Sequence, residues 1–187
     1  VGNDQKQHLE LCRDIAQKFN NDFNVDDFFK IPEPLIKKEF SRIMSLKDGL
    51  KKMSKSEISD LSRINLTDDK DTIANKIKKA KTDALPLPST IEELEKRPEV
   101  KNLIGIFSSL AGLTLENSLN EFSGKNFSLF KENLSQLLIE KIIPISFEIK
   151  KLLNDHNYLD SILIDGYKKA DKIASKKVEK IHEIIGF

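Results

Sequence analysis

A mainly α chain with a small α/β portion at its start is what the 187 residues predict, and three observations carry that reading. From Pro98 to the C-terminus apolar residues recur every three to four positions, the pattern of a helical bundle. Ser41 to Leu46 is an apolar run of strand length, followed at once by the turn-forming pair Asp48-Gly49. Gly2 precedes a segment of helical period, the order of strand end, turn and helix found in an open α/β sheet.

Taken in order, Val1 to Asn3 reads as a strand end and turn, with Gly2 allowing close backbone approach to a ligand. Leu9, Cys12, Ile15 or Ala16 and Phe19 then mark one face of a helix from about Asp4 to Phe19. Asn20 to Lys30 is a polar turn leading into a short extended piece, Asp27 to Ile31, and Pro32 with Pro34 forbids a helix there. After the strand and its turn comes a polar loop, Lys51-Lys52-Met53-Ser54-Lys55-Ser56. Arg63 to Leu66 is a short extended segment, and Thr67 or Asp68 caps a helix that places Ile73, Ala74, Ile77 and Ala80 on one face. Leu85-Pro86-Leu87-Pro88 is a proline-rich joint, and Thr90 with Glu93 has capping-box spacing for a short helix ending near Lys96.

Pro98 suits the first turn of the next helix, which carries Leu103, Ile104, Phe107, Leu110 and Ala111 and stops at Gly112. Thr114 opens a further helix to Phe122, ended by Gly124. Phe127 to Asn154 forms one long helix or two, depending on how Pro144 is tolerated, and Asp155 to Ile185 forms the last. On that last helix Ala170, Ala174, Val178, Ile181 and Ile185 form the core-facing stripe. Lys168, Lys172, Lys176 and Lys180 line another face; interleaved acids also permit a merely solvated surface there.

Composition narrows the function classes. With 33% charged residues and a formal net charge of +1, no global field for nucleic acid exists, so RNA contact must come from local patches. Cys12 is the sole cysteine, which excludes an intramolecular disulfide, and with three scattered histidines it cannot form a closed zinc site. The longest apolar run, Leu137 to Ile149, is interrupted by Glu140, Lys141 and Pro144 and falls short of the roughly 20 apolar residues of a membrane span.

The chemistry concentrates in the lysine loop. Lys52 and Lys55 lie three residues apart, so two ammoniums on flexible stems reach one polyphosphate and follow charge that moves during a reaction. That suits attack of a carboxylate on the α-phosphorus of ATP with departure of pyrophosphate, where useful cations stabilise the leaving group mainly in the transition state. A solvated loop is the plain alternative. Yet with this chain's Lys, Ser and Met usage the string KMSKS arises by chance with probability on the order of 10⁻⁴.

The loop resembles the second signature of the class I aminoacyl-tRNA synthetases. Val1 to Leu11 upstream (VGNDQKQHLEL), Arg42 to Leu46 before the loop (RIMSL) and Lys76 to Asp83 after it (KIKKAKTD) together resemble the tryptophanyl-tRNA synthetases, in register over the whole chain. The resemblance implies the C-terminal half of a Rossmann-like α/β nucleotide-binding domain at 1–60 and an all-helical anticodon-binding domain at 61–187. It implies ATP contacts from Gly2, Asn3, Asp4, the backbone of Ile43, and Lys52, Met53, Ser54, Lys55 and Ser56, with Lys52 and Lys55 catalytic and Gln5 holding the tryptophan ammonium. Position alone favours an Asp4 N-cap and a solvated Gln5; the resemblance reverses that preference. It also implies Mg²⁺ entering with the nucleotide, tRNA(Trp) and tryptophan as partners, a homodimeric parent in the cytoplasm, and tRNA contact by the four-lysine face.

A class I synthetase also needs an HIGH-type signature, and none surrounds His8, His156 or His182. The expectation is that it lies upstream of Val1 with the indole pocket, and that the chain by itself does not catalyse. Glu57-Ile58 stands where Asp-Pro is common in the family, which gives the loop a more flexible exit. A catalytically inactive, synthetase-like RNA-binding or regulatory protein is the competing reading; retention of the lysine loop speaks against it.

Overall fold

The computed structural model describes Gly2, residues 5–36 and residues 42–187. Expectations for Val1, Asn3 and Asp4, and the start of the strand at Ser41, lie outside the described residues. Those described form seven α-helices, one 3₁₀ turn and one two-stranded sheet, so the chain is mainly α, as its periodicity predicts. It divides into two compact units, Arg42–Lys150 and a second that joins Val1–Ser41 to Lys151–Phe187.

In the Arg42–Lys150 unit, strands β1 (Met44–Ser45) and β2 (Asp48–Lys52) pair antiparallel. The tight connection is Leu46-Lys47, between the paired residues Ser45 and Asp48, so Asp48-Gly49 is not the turn that its composition suggests. Met44 pairs with Lys52, which leaves Gly49 to Lys51 bulging from β2. The first residues of α4 (Pro98–Ala111) lie against this bulge. A Cβ on Gly49 would stand 2.5 Å from both the Glu99 nitrogen and the Pro98 carbonyl carbon, so only glycine allows this approach. Gly49→Ala is therefore expected to cost about 1–3 kcal/mol, the usual penalty of overpacking against backbone, read as a lower urea midpoint. An unchanged midpoint would mean that the hairpin does not rest on α4.

The helices of this unit follow their local signals closely. Asp69, not Thr67 or Asp68, caps α2 (Lys70–Lys79) by accepting from the Thr72 amide at 2.8 Å; Asp68 is drawn instead to a buried lysine. Thr90 caps α3 (Ile91–Glu95), with Glu93 reaching back to the Ser89 amide. Pro98 opens α4, and Gly112 closes it at φ 69°. Thr114 caps α5 (Leu115–Phe122), and α6 (Phe127–Leu153) runs through Pro144 as one helix. Together these helices bury Ile73, Ile77, Leu94, Leu103, Ile104 and Leu134, around an edge-to-face trio of Phe107, Phe122 and Phe130. Leu46, from the hairpin turn, is buried in the same core, which seats the hairpin on the helices. Ala74 is exposed, and its place on the buried face of α2 is taken by Lys76.

The proline-rich joint is held rather than free. Arg97 donates to both carboxylate oxygens of Asp83 and to the Pro86 carbonyl, and Leu87 exchanges backbone hydrogen bonds with Gly124 and Lys125. The Arg97 guanidinium holds the Asp83 carboxyl below its usual range.

In the other unit, α1 (Lys6–Asp22) runs one turn beyond its expected end. Ala16 is its buried residue, while Cys12 and Ile15 are exposed. Asp27 does not begin an extended piece: like Asn24, it takes a left-handed turn conformation, and the Asn20 side chain closes the turn by pairing with the amide and carbonyl of Phe29. Phe19, Phe23, Phe28 and Phe29 cluster there beneath Lys177 of α7 (His156–Ile185), whose ammonium lies 3.5 Å from the Phe28 ring centroid and donates to the Phe28 carbonyl. The core-facing stripe expected on α7 is not seen: Ala170, Ala174, Val178 and Ile185 are exposed, and only Ile181 is half-buried. The helix meets its unit along Ser175, Lys177, Ile181 and Ile184 instead, because a lysine stem over aromatic rings supplies the packing that periodicity assigns to aliphatic residues.

Candidate nucleotide-binding site

The lysine loop is the end of a pinned hairpin. Asn102, buried on α4, donates from Nδ2 to the Met44 carbonyl at 2.8 Å and accepts from the Met44 amide at 2.9 Å, so its carboxamide acts as a third strand of one residue. The Leu46 amide donates to the Ser62 carbonyl, and the Lys81 amide to the Leu46 carbonyl. Glu99, in the first turn of α4, pairs with Lys81 at 2.8 Å and is bonded by the Gly49 backbone; Lys81 holds its carboxyl below the usual range. Position along the hairpin is thus set on both edges.

Lys52 is the last residue of β2, not a loop residue, and its partner Met44 is the one that Asn102 holds. Met53 donates its amide to the Ile43 carbonyl at 3.0 Å, and its side chain packs against the core. The structure therefore brings Ile43, Lys52 and Met53 together at the hairpin's end. Ser54 and Ser56 join their hydroxyls at 2.8 Å, which folds Lys55 into a tight turn. Lys52 and Lys55 are exposed, and among the described residues neither meets a carboxylate within 4 Å. Lys51 differs in leaning toward Asp48 at 3.8 Å, an exposed pair of little energetic value. Two ammoniums that meet no carboxylate among the described residues, Lys52 on a strand held through Met44 by Asn102 and Lys55 on the turn that follows, can take a polyanion without first breaking an ion pair there.

Behind the loop lies a polar cluster that sequence reasoning missed. Lys76, only 2% exposed, donates to Asp60 at 2.6 Å and Asp68 at 2.7 Å. Asn65 bonds both carboxylates, and Arg63 reaches Asp60 at 3.0 Å, Asn65 at 3.2 Å and the Glu57 carbonyl at 2.9 Å. Lys76, then Asn65, holds the Asp60 carboxyl below its usual range. The available signal was a charged residue at a position of buried period, Ile73, Lys76, Ile77 and Ala80.

Of the remaining site candidates, Gly2 accepts a hydrogen bond from the Gln5 amide at 3.0 Å, and Gln5 is the N-cap of α1; both belong to the second unit. Asn3 and Asp4 lie outside the described residues. Lys168, Lys172, Lys176 and Lys180 are all exposed on α7. Among the described residues no group of three or more His, Cys, Asp or Glu side chains could hold a metal, and no helix is long and apolar enough to cross a membrane.

Comparison with known proteins places these features in a lineage. Residues 1–143 match the family described as tRNA synthetases class I (W and Y). A tryptophan--tRNA ligase of Caulobacter vibrioides is 52% identical over all of this chain and 54% of its own length, and one of Rickettsia conorii is 50% identical over all of this chain and 56% of its own. The chain thus spans about half the length of the curated relatives it matches. Among solved structures, the tryptophanyl-tRNA synthetase of Mycoplasma pneumoniae superposes with TM-score 0.82 at 29% identity, over all of this chain and 57% of that one. The Campylobacter jejuni enzyme, complexed with ADP and tryptophane, gives TM-score 0.69 at 29% identity, over all of this chain and 56% of its own.

Proposed function

Because the chain belongs to the class I tRNA synthetases of the tryptophan and tyrosine group, we propose that it is the ATP-handling and RNA-handling part of a tryptophan–tRNA ligase. The observation that carries the reading is the pair of exposed lysines, without an ion pair among the described residues, at and just beyond the end of the hairpin that Asn102 and Gly49 fix against α4.

In that reaction the tryptophan carboxylate attacks the α-phosphorus of ATP, a P–O bond to the new mixed anhydride forms, and the bond to pyrophosphate breaks. Mg²⁺ enters with the nucleotide's phosphates and offsets their charge. Lys52 and Lys55 follow the negative charge onto pyrophosphate, while Met53, Ser54, Ser56 and the Ile43 backbone position the nucleotide. Gly2, Asn3 and Asp4 complete the ATP contacts, and Gln5 holds the tryptophan ammonium. The parent works as a cytoplasmic homodimer that passes the acyl group to tRNA(Trp). Residues 1–60 belong to its catalytic domain and 61–187 to its anticodon-binding domain. Tryptophan- and ATP-dependent adenylate formation in an enzyme carrying this chain tests the reading, with each lysine replaced in turn.

The four-lysine face of α7 extends it. If Lys168, Lys172, Lys176 and Lys180 contact tRNA phosphates, each engaged lysine contributes about 0.7–0.9 to the slope of log affinity against log salt. Replacing all four by Gln is expected to weaken tRNA binding, flatten that slope by up to roughly 3 and leave adenylate formation unchanged. A parental slope would make the face a solvated surface only.

A further inference from the structure

We propose that Arg63 is a positioning residue that anchors the exit of the lysine loop and so limits how far Lys55 can travel. The inference rests on the reading of that loop as the ATP-handling element.

The loop has two fixed ends. It enters at Met53, held by its amide bond to Ile43 and by packing on the core. It leaves at Glu57, whose carbonyl accepts from Arg63 at 2.9 Å. Only Ser54, Lys55 and Ser56 lie between, and the Ser54 hydroxyl meets the hydroxyl and the amide of Ser56 across Lys55. A span this short, at about 3.3–3.6 Å per residue, gives the Lys55 backbone little range while both ends hold, and the side chain's stem supplies the rest. The residue next to Glu57 gives no apolar anchor, since Ile58 is 100% exposed. The guanidinium is thus what ties the exit down.

Arg63 can do this because it is itself held. Its fork reaches three acceptors on three residues, Glu57, Asp60 and Asn65. Asp60 is fixed from behind by Lys76, which stands on the core-packed helix α2 and also grips Asp68. A line of charge-assisted hydrogen bonds therefore runs from a buried helix to the loop's exit. Its last contact is a backbone carbonyl, so the anchor does not depend on which side chain stands at Glu57. An ammonium could serve one of these acceptors, not the fan.

The test is cleavage by a lysine-specific protease of the full-length enzyme without ligands, with the rate at the bond after Lys55 followed by mass spectrometry. Arg63→Gln removes the fork and is expected to raise that rate on the order of tenfold, the scale of one lost hydrogen bond to a charged group. It should also raise the KM for ATP while the KM for tryptophan stays parental, a split that general destabilisation would not give. Arg63→Lys should recover part of the ATP KM. Should Arg63→Gln fail to fold, Asp60→Asn, which keeps the Lys76–Asp68 pair while loosening the hold on Arg63 along with Asp60's own bond to Lys76, is read in the same assay. A parental cleavage rate in a folded variant overturns the anchor. Protection of the same bond by ATP in the unmodified enzyme reports on the loop's nucleotide role alone, so its absence sinks that reading and leaves the anchor to the unliganded rate.

Discussion

Lys52→Ala or Lys55→Ala, in an enzyme carrying this chain, is expected to slow adenylate formation by roughly 10²–10³, the range for removing one preorganised electrostatic group. Tryptophan affinity should barely change, because the proposed role of both ammoniums is to act on charge that appears as pyrophosphate leaves. The structure sharpens the comparison between the two. Lys52 ends β2 opposite Met44, whose amide and carbonyl Asn102 holds, so its Cα is fixed before any ligand arrives. Lys55 rides the short turn between Met53 and Glu57. Removing Lys52 should therefore act through lost charge alone. Removing Lys55 should in addition weaken the ATP-dependent protection of the loop, read with a protease of broad specificity because the lysine-specific site is lost with the side chain. Single-turnover activation followed by rapid quench separates the chemical step from product release. Unchanged rates in both variants would remove these lysines from the mechanism.

Asn102 extends the same logic to a residue with no charge. Its carboxamide replaces a missing strand neighbour for Met44, and its position on α4 is one that periodicity gives to the core. A buried amide with both ends satisfied by one backbone residue marks where the hairpin may not slide.

What could be read in the sequence was whatever short-range chemistry decides. Thr90, Thr114 and Asp155 cap their helices with their own side chains, Pro98 starts one, and Gly112 ends one at positive φ, since each depends on neighbours a few residues away. The KMSKS string was legible for the same reason. Tertiary partners decided the rest. Asp48-Gly49 has turn composition, yet the glycine is there to admit the backbone of α4, and the turn falls on Leu46-Lys47, with Leu46 buried. The stripe on α7 failed because an apolar period predicts a partner without saying that Lys177 over Phe28 and Phe29 supplies the contact. Four arginines among 31 basic residues were a signal left unused. Two of them, Arg63 and Arg97, serve multi-point contacts that lysine cannot make.

Lys76→Met is expected to destabilise strongly the unit that carries the loop. The ammonium is 2% exposed and bridges two carboxylates, so methionine fills its volume and leaves Asp68 buried without a counter-ion. Breaking a buried pair by removing one partner costs about 3–5 kcal/mol, because the surviving charge loses its compensation. Urea unfolding followed by helical circular dichroism should show the midpoint fall accordingly, and an unchanged midpoint would mean that the pair is not formed. The pH dependence carries a sign. Lys76 lowers the folded pKa of Asp60 below its ordinary 3.8, so the stability which that pairing supplies is present above the ordinary value and is lost as pH falls through the lowered one. The gap between parent and Lys76→Met should accordingly narrow in acid. Adding Asp68→Asn and Asp60→Asn to Lys76→Met removes the stranded charges together, and replacing a whole buried ionic group by neutral ones of similar volume is often close to neutral. The triple variant should therefore regain much of the lost midpoint while still releasing the loop's exit, since Arg63 then has no carboxylate to hold it. Recovery of stability without recovery of the ATP KM would separate the cluster's part in holding the fold from its part in aiming Lys55.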